Sequence, residues 1–136
     1  MAQLGHRAVR VPRRQRAAGP ALFAGAVLVV IGAFHAVLAV AAMQRSPLYA
    51  VDGGYLFGFD LAAWGWAHLG LAVLLAAAGW ALVTGVRGAV AAGIAVAGLS
   101  AVGNFLFVPF QPLWAMLIIA VDVAAIWALA AREQQE

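Results

Sequence analysis

The sequence predicts an all-α integral membrane protein, a bundle of four transmembrane helices running up-down-up-down with both the N and C termini in the cytoplasm. Three observations predict it. The 136 residues are 66% hydrophobic and only 10% charged, where a soluble domain carries about 45–50% apolar and about 25% charged residues. A water-soluble fold of this size has too little interior to hide that much apolar surface, so lipid is the solvent the composition calls for. The apolar residues fall into four runs, each long enough to cross about 30 Å of hydrocarbon. The arginines, finally, are distributed unevenly between the two sides those runs define.

The elements follow in order. Residues 1–19 form a polar, basic tail expected on the cytoplasmic side. The first run covers residues 20–43 and at about 1.5 Å per residue spans the bilayer core with some tilt. Pro20 suits the first turn of that helix. Residues 44–60 make the longest loop, with Pro47 and Asp52-Gly53-Gly54 as turn chemistry. Asp60 stands where the second helix needs an N-cap. The second run covers 61–84. Gly85-Val86-Arg87 is a tight connection, which makes helices two and three antiparallel neighbours. The third run covers 88–108, the turn Pro109-Phe110-Gln111-Pro112 follows, and the fourth run covers 113–131. Residues 132–136 are a short charged tail. Many of the 15 glycines lie inside the apolar runs, as suits close helix packing in lipid.

Arginine placement sets the direction. With the N-terminus inside, the cytoplasmic segments hold Arg7, Arg10, Arg13, Arg14, Arg16, Arg87 and Arg132, and the outer loops hold only Arg45. This positive-inside bias predicts a multi-pass protein of the inner (plasma) membrane, N-in and C-in. Trp64, Trp66 and Trp114 fall at the predicted outer boundary, Trp80 and Trp127 toward the inner one. The N-terminal arginines are expected to lie against anionic lipid. No aromatics interleave them as a nucleic-acid surface requires, so no nucleic acid is expected as a partner. A basic start followed by an apolar run and Ala39-Val40-Ala41 resembles a secretory signal. The run exceeds the roughly 7–15 residues of a signal core and carries His35, so it is read as a retained helix. Trp-Ala-Leu recurs at 80–82 and 127–129, a hint that the two hairpins are a parallel duplication.

Several chemistries are excluded. The chain has no cysteine and no lysine, which removes disulfides, thiolate nucleophiles, cysteine metal sites and Schiff bases. Ser46 and Ser100 are the only serines, and neither sits in a nucleophile elbow. There is no phosphate loop and no His-Glu-x-x-His metal spacing. The reading leans away from an enzyme, and it names no metal and no cofactor.

What remains is a set of polar residues inside the apolar runs: His35, His68, Asn104 and Asp122. Counted from the outer ends of their helices, they lie at depths of about 12, 11, 6 and 14 Å at 1.5 Å per residue. All four thus fall in the outer half of the bilayer. Gly25, Gly32, His35 and Ala39 share a face of helix one. Gly65, His68, Ala72, Ala76 and Gly79 do so on helix two, and Gly93, Ala97, Ser100 and Asn104 on helix three. Small residues mark close helix contact, so the polar groups are expected to face the bundle interior. Exposing Asp122 to lipid would cost about 2.5–3.5 kcal/mol. Either the four hydrogen-bond one another and set the helix register, or they line a pocket that opens outward, with Asp60 and Gln111 at its mouth. Asp60 is also explained as a helix cap. Tyr49, Tyr55, Phe57 and Phe59 of the outer loop form an aromatic belt, a lid or a docking surface. Two histidines at similar depth also permit axial ligation of haem b, and two histidines with an acid permit a metal site by residue type.

One stretch adds a resemblance. Phe59-Asp60, Trp64-Gly65-Trp66, His68, Asn104-Phe105-Leu106, Pro109 and Ala120-Val121-Asp122 resemble a family of small four-helix membrane proteins of unknown function found widely in actinobacteria. The resemblance covers about residues 22–129, and Asp-x-x-x-Trp-Gly-Trp-x-His is its most specific piece. A more distant similarity is to the DoxX-like four-helix proteins. The resemblance implies a bundle in an actinobacterial membrane and no particular activity. The expected function is a non-enzymatic ligand-binding or accessory subunit, with a membrane-protein partner or as a homo-oligomer. The alternatives are a proton-coupled small oligomeric transporter, with Asp122 as its titrating group and the histidines assisting, and a haem- or quinone-linked redox protein.

Overall fold

The computed structural model describes residues 13–44 and 61–133, with side chains over 19–44 and 61–132. Among these residues there are four helices: α1 (Arg13–Met43), α2 (Leu61–Thr84), α3 (Ala89–Phe107) and α4 (Pro112–Glu133). Each contains a segment long and apolar enough to cross a membrane: Gly19–Met43, Leu61–Thr84, Ala89–Phe107 and Pro112–Arg132. By length and composition these segments suggest a multi-pass membrane protein.

α1 differs from its expectation. It begins at Arg13, so Pro20 lies inside the helix rather than in its first turn. Residues 13–18 are arginine, glutamine and alanine, all good helix formers. Pro20 removes one i→i−4 bond near the polar end, a cost those residues absorb. Part of the expected basic tail is therefore helical.

The tight α2–α3 connection has a clear local cause. Val86 N–H donates to Ala81 O at 2.9 Å and Gly85 N–H to Leu82 O at 3.3 Å, which together form a Schellman cap. Gly85 takes φ 73° and Gly88 φ 79°, left-handed values that favour glycine at both positions. At the other end of the bundle, α4 starts on Pro112, a residue suited to a first helical position. Ala115 N–H there donates to Gln111 O at 3.0 Å.

Each helix buries one stripe at alternating three- and four-residue spacing: Leu28, Ile31, His35, Ala39 and Ala42 on α1, then Gly65, His68, Ala72, Leu75, Gly79 and Leu82 on α2. The stripe continues with Gly93, Ala97, Ser100 and Asn104 on α3 and Ala115, Ile118, Asp122, Ala125 and Leu129 on α4. That spacing is the packing rhythm of a shallow-angle bundle. Ala76, placed by sequence on the α2 stripe, is exposed, and Leu75 takes the buried position beside it. The opposite faces are apolar as well. Leu113 is 89% exposed and Trp127 74%, which fits a surface that meets lipid rather than water.

α1 lies closest along α2, α3 along α4, and α1–α4 and α2–α3 contacts close the ring. The α1–α2 contact is backbone on backbone. A Cβ placed on Gly79 would sit 2.6 Å from Gly25 O, one on Gly25 would sit 2.8 Å from Gly79 O, and one on Gly32 would sit 3.0 Å from Ala72 O. A Cβ on Gly65 would lie 3.1 Å from Ala39 O. These pairings run in opposite chain directions, so α1 and α2 are antiparallel. Toward the Thr84–Ala89 end, Leu28, Leu75, Leu82 and Leu129 fill the interior. Toward the Met43–Leu61 end the interior turns polar, and there lie the residues on which function can be argued.

Candidate functional site

Four buried side chains, one from each helix, form a continuous hydrogen-bonded chain. His68 Nδ1 of α2 lies 2.7 Å from His35 Nδ1 of α1. His35 Nε2 lies 2.9 Å from Ser100 Oγ of α3. Ser100 Oγ donates to Asp122 Oδ2 of α4 at 2.7 Å. His35, Ser100 and Asp122 have no solvent exposure at all. The two imidazoles stack at 4.8 Å between ring centres, 23° from parallel. Close approach of α1 and α2 at Gly32 and Gly65 is what brings those rings together.

Hydrogen-bond counting gives the chain a direction. A hydroxyl has one proton to donate. Ser100 gives its proton to Asp122, so toward His35 it can only accept, and His35 Nε2 carries the hydrogen. A neutral imidazole has one N–H and one acceptor nitrogen. His35 Nδ1 is then the acceptor, and His68 Nδ1 donates to it. Every donor in this arrangement points toward Asp122, whose other oxygen, Oδ1, is buried without a hydrogen-bond partner.

A cavity of about 260 Å³ adjoins the His68 end of this chain. All four helices contribute: Val37, Leu38 and Ala41 from α1, Trp64 and His68 from α2, Asn104 and Phe107 from α3, and Trp114 from α4, with Gln111 just before it. Trp64 organises the wall. It stacks on Phe107 at 5.3 Å and meets His68 edge-on at 4.6 Å. Phe34 packs edge-on against Trp114 at 5.6 Å. Val37, 63% exposed, and Trp114, 37% exposed, stand at the rim, so the mouth lies on the lipid-facing side of α1 and α4. His68 spends Nδ1 on His35, which leaves Nε2 as the ring nitrogen for an occupant.

The family model of a domain of unknown function, DUF7144, matches residues 20–134, a stretch that takes in all four membrane-length segments, the chain and the cavity. The chain belongs to the DUF7144 family. That membership agrees with the resemblance to a family of unknown function. No curated protein and no solved structure matches the chain.

His35 and His68 meet directly, and Asp122 is joined to them only through Ser100. Asn104 stands off the chain: its Nδ2 donates to Ser100 O one turn back, at 2.9 Å, and its side chain lines the cavity. Gln111 lines the same cavity. Asp60 and the loop aromatics Tyr49, Tyr55, Phe57 and Phe59 lie outside the described residues. Trp114 and Trp64, expected at the membrane boundary, turn partly inward as cavity wall. Ser100 lies on the small-residue face of α3 and is not among the four polar residues that stand out in the sequence. A depth count would have found it, since eight residues at 1.5 Å put it about 12 Å in, level with His35 and deeper than Asn104.

The haem arrangement does not fit. Axial ligands stand on opposite faces of a macrocycle, whereas His35 and His68 touch nitrogen to nitrogen and ring to ring. Nor do the histidines and the acid converge on one point, because Ser100 stands between them. Among the described residues no group of three His, Asp or Glu could hold a metal ion. The same geometry separates the two polar residues of α3 energetically. Ser100→Ala breaks a bridge between helices and is expected to cost about 1–2 kcal/mol, while Asn104→Ala loses only a bond within its own helix and is expected to cost under about 1 kcal/mol. Equilibrium unfolding of the two variants in mixed detergent micelles checks the order.

Proposed function

We propose that this DUF7144 protein is a non-enzymatic ligand-binding subunit of the plasma membrane. Its bundle runs up-down-up-down with both termini in the cytoplasm, and its cavity lies in the outer half of the bilayer. Arg87 and Arg132 line a hollow at the opposite, Thr84–Ala89 end, which supports that orientation by the positive-inside rule. The observation that carries the function is the cavity: aromatic walls, an opening on the lipid side, and three polar side chains (His68, Asn104 and Gln111).

Such a lining suits a small, flat, mostly apolar molecule with one polar group. Binding pockets of this kind combine apolar walls for affinity with few polar groups for orientation. An apolar cavity of about 150 Å³ holds benzene, so the larger space here accommodates a single substituted ring. The ring would stack among Trp64, Phe107 and Trp114, and its polar atom would meet His68 Nε2 and the Asn104 amide. Entry from the bilayer concentrates apolar ligands at the mouth.

Trp64 and Trp114 make the test direct. Purified protein in lipid nanodiscs, titrated with phenol and with acetophenone, is expected to show saturable quenching of tryptophan fluorescence. Ala41→Phe fills the cavity and is expected to abolish saturation, with at least a tenfold loss of affinity. Saturation unchanged in Ala41→Phe would place the ligand elsewhere, and no saturable quenching by either compound in the unaltered protein would end the proposal.

A further inference from the structure

We propose that the His68–His35–Ser100–Asp122 chain is a proton path that makes the cavity selective for weak acids, an aromatic O–H above all, by taking the ligand's proton to Asp122. This rests on the cavity being the binding site and adds the class of ligand and the fate of its proton. Three groups in unbroken hydrogen-bond contact, His68, His35 and Ser100, connect the cavity to a carboxylate with no solvent exposure. The donors all point away from the cavity, so His68 presents a bare acceptor nitrogen there. A ligand that donates can use that nitrogen, whereas a ligand with only acceptors forgoes the bond and binds more weakly. The titratable groups that face Asp122 from the other helices are His35 of α1 and, one bond further on, His68 of α2; α3 contributes the neutral Ser100. Apart from Arg132 at the end of α4, these three are the only titratable residues in the membrane-length segments.

The step balances. The ligand O–H breaks and its proton bonds to His68 Nε2. The proton on His68 Nδ1 passes to His35 Nδ1, and that on His35 Nε2 passes to Ser100 Oγ. The original Ser100 hydroxyl proton passes to Asp122 Oδ2. One O–H is lost by the ligand and one is gained by Asp122, with no change in oxidation state. Both histidines end neutral with their hydrogens on the opposite nitrogens, so His68 Nε2–H now donates to the ligand oxyanion. Each hydrogen bond survives with its direction reversed. The negative charge moves from the centre of the bundle to the cavity, where the Asn104 and Gln111 amides stand. Oδ1 of Asp122, buried and without a partner, marks that carboxyl group as a terminus for a proton rather than for a second bridge.

The probe is 4-nitrophenol, whose anion is yellow and whose neutral form is nearly colourless. The protein in nanodiscs is titrated below the pH at which the free dye ionises, with binding followed by tryptophan quenching and ionisation by visible absorbance. The bound dye is expected to be yellow with the unaltered protein and with Ser100→Thr, which keeps the hydroxyl. It is expected to be colourless, though bound, with Ser100→Ala and with Asp122→Asn. 4-Nitroanisole, the same ring without the acidic hydrogen, is expected to bind at least tenfold more weakly. Colourless bound dye in the unaltered protein overturns the proposal, as does yellow dye in Ser100→Ala or Asp122→Asn, or equal affinity for the ether. Failure of the dye to bind the unaltered protein at all overturns the cavity reading beneath it as well, so the two failures are told apart by the quenching signal.

Discussion

His35→Ala is expected to lower the unfolding free energy by about 3–5 kcal/mol, the largest loss for truncating any one side chain of the polar chain. His35 is the one member with both polar atoms engaged inside the bundle, Nδ1 with His68 and Nε2 with Ser100. Its truncation removes contacts to two other helices together. Interhelical hydrogen bonds in membranes contribute modestly, about 0.6 kcal/mol on average and up to about 1.7. The larger share comes from the hole left in a fully buried site, for which large-to-small changes cost about 2–5 kcal/mol. His68→Ala should cost less, about 1–3 kcal/mol, because it breaks one chain contact and enlarges a cavity that already exists. Reversible unfolding of both variants in mixed micelles gives the comparison. Equal losses would mean that the chain does not tie the helices together.

Gly79→Val is expected to be at least as damaging, about 3 kcal/mol or more, for a different reason. The added Cβ would meet Gly25 O at 2.6 Å, and a carbonyl in the middle of a helix has no rotamer by which to move aside. Overpacking alone costs about 1–3 kcal/mol. Here relief requires α1 and α2 to separate, which also loosens Gly32 against Ala72 and lengthens the contact between His35 and His68. Gly70 provides the control: nothing lies within 4 Å of a Cβ built there. Gly70→Ala should be neutral or stabilise by about 0.5–1 kcal/mol through helix propensity. Thermal unfolding of the two variants side by side decides the matter, and a Gly79→Val protein as stable as Gly70→Ala would contradict the close approach of the two backbones. Gly25→Ala and Gly79→Ala should also be non-additive, since both push open the same gap.

The elements were largely legible beforehand because their cause is local. An apolar run in lipid must become a helix to satisfy its own backbone, whatever its neighbours do, and the expected ends of α2 agree with the structure at Leu61 and Thr84. The start of α1 is less legible: Pro20 suits a first turn, yet the good helix formers before it carry the helix back to Arg13. The polar residues were legible for a similar reason. An acid or an imidazole inside an apolar run is costly enough to stand out in a one-dimensional reading. Ser100 was not, since a serine carries little cost and helix interiors accept it without comment.

The sequence by itself determined the four membrane-length helices, most of the face that α1, α2 and α3 bury, and the presence of His35, His68 and Asp122 among otherwise apolar residues. Those properties follow from the solvent and from the helical repeat, which act on each segment alone. Only the tertiary structure decided that Ser100, not Asn104, completes the chain, that His35 is the joint between two neighbours, and that Trp64 and Trp114 wall a cavity. Each of these depends on how far one helix is rotated and slid against another. A rotation of one residue is about 100°, enough to turn a side chain from the interior to the lipid. Nothing within a single helix fixes that angle; the backbone contacts at Gly25, Gly32, Gly65 and Gly79 do.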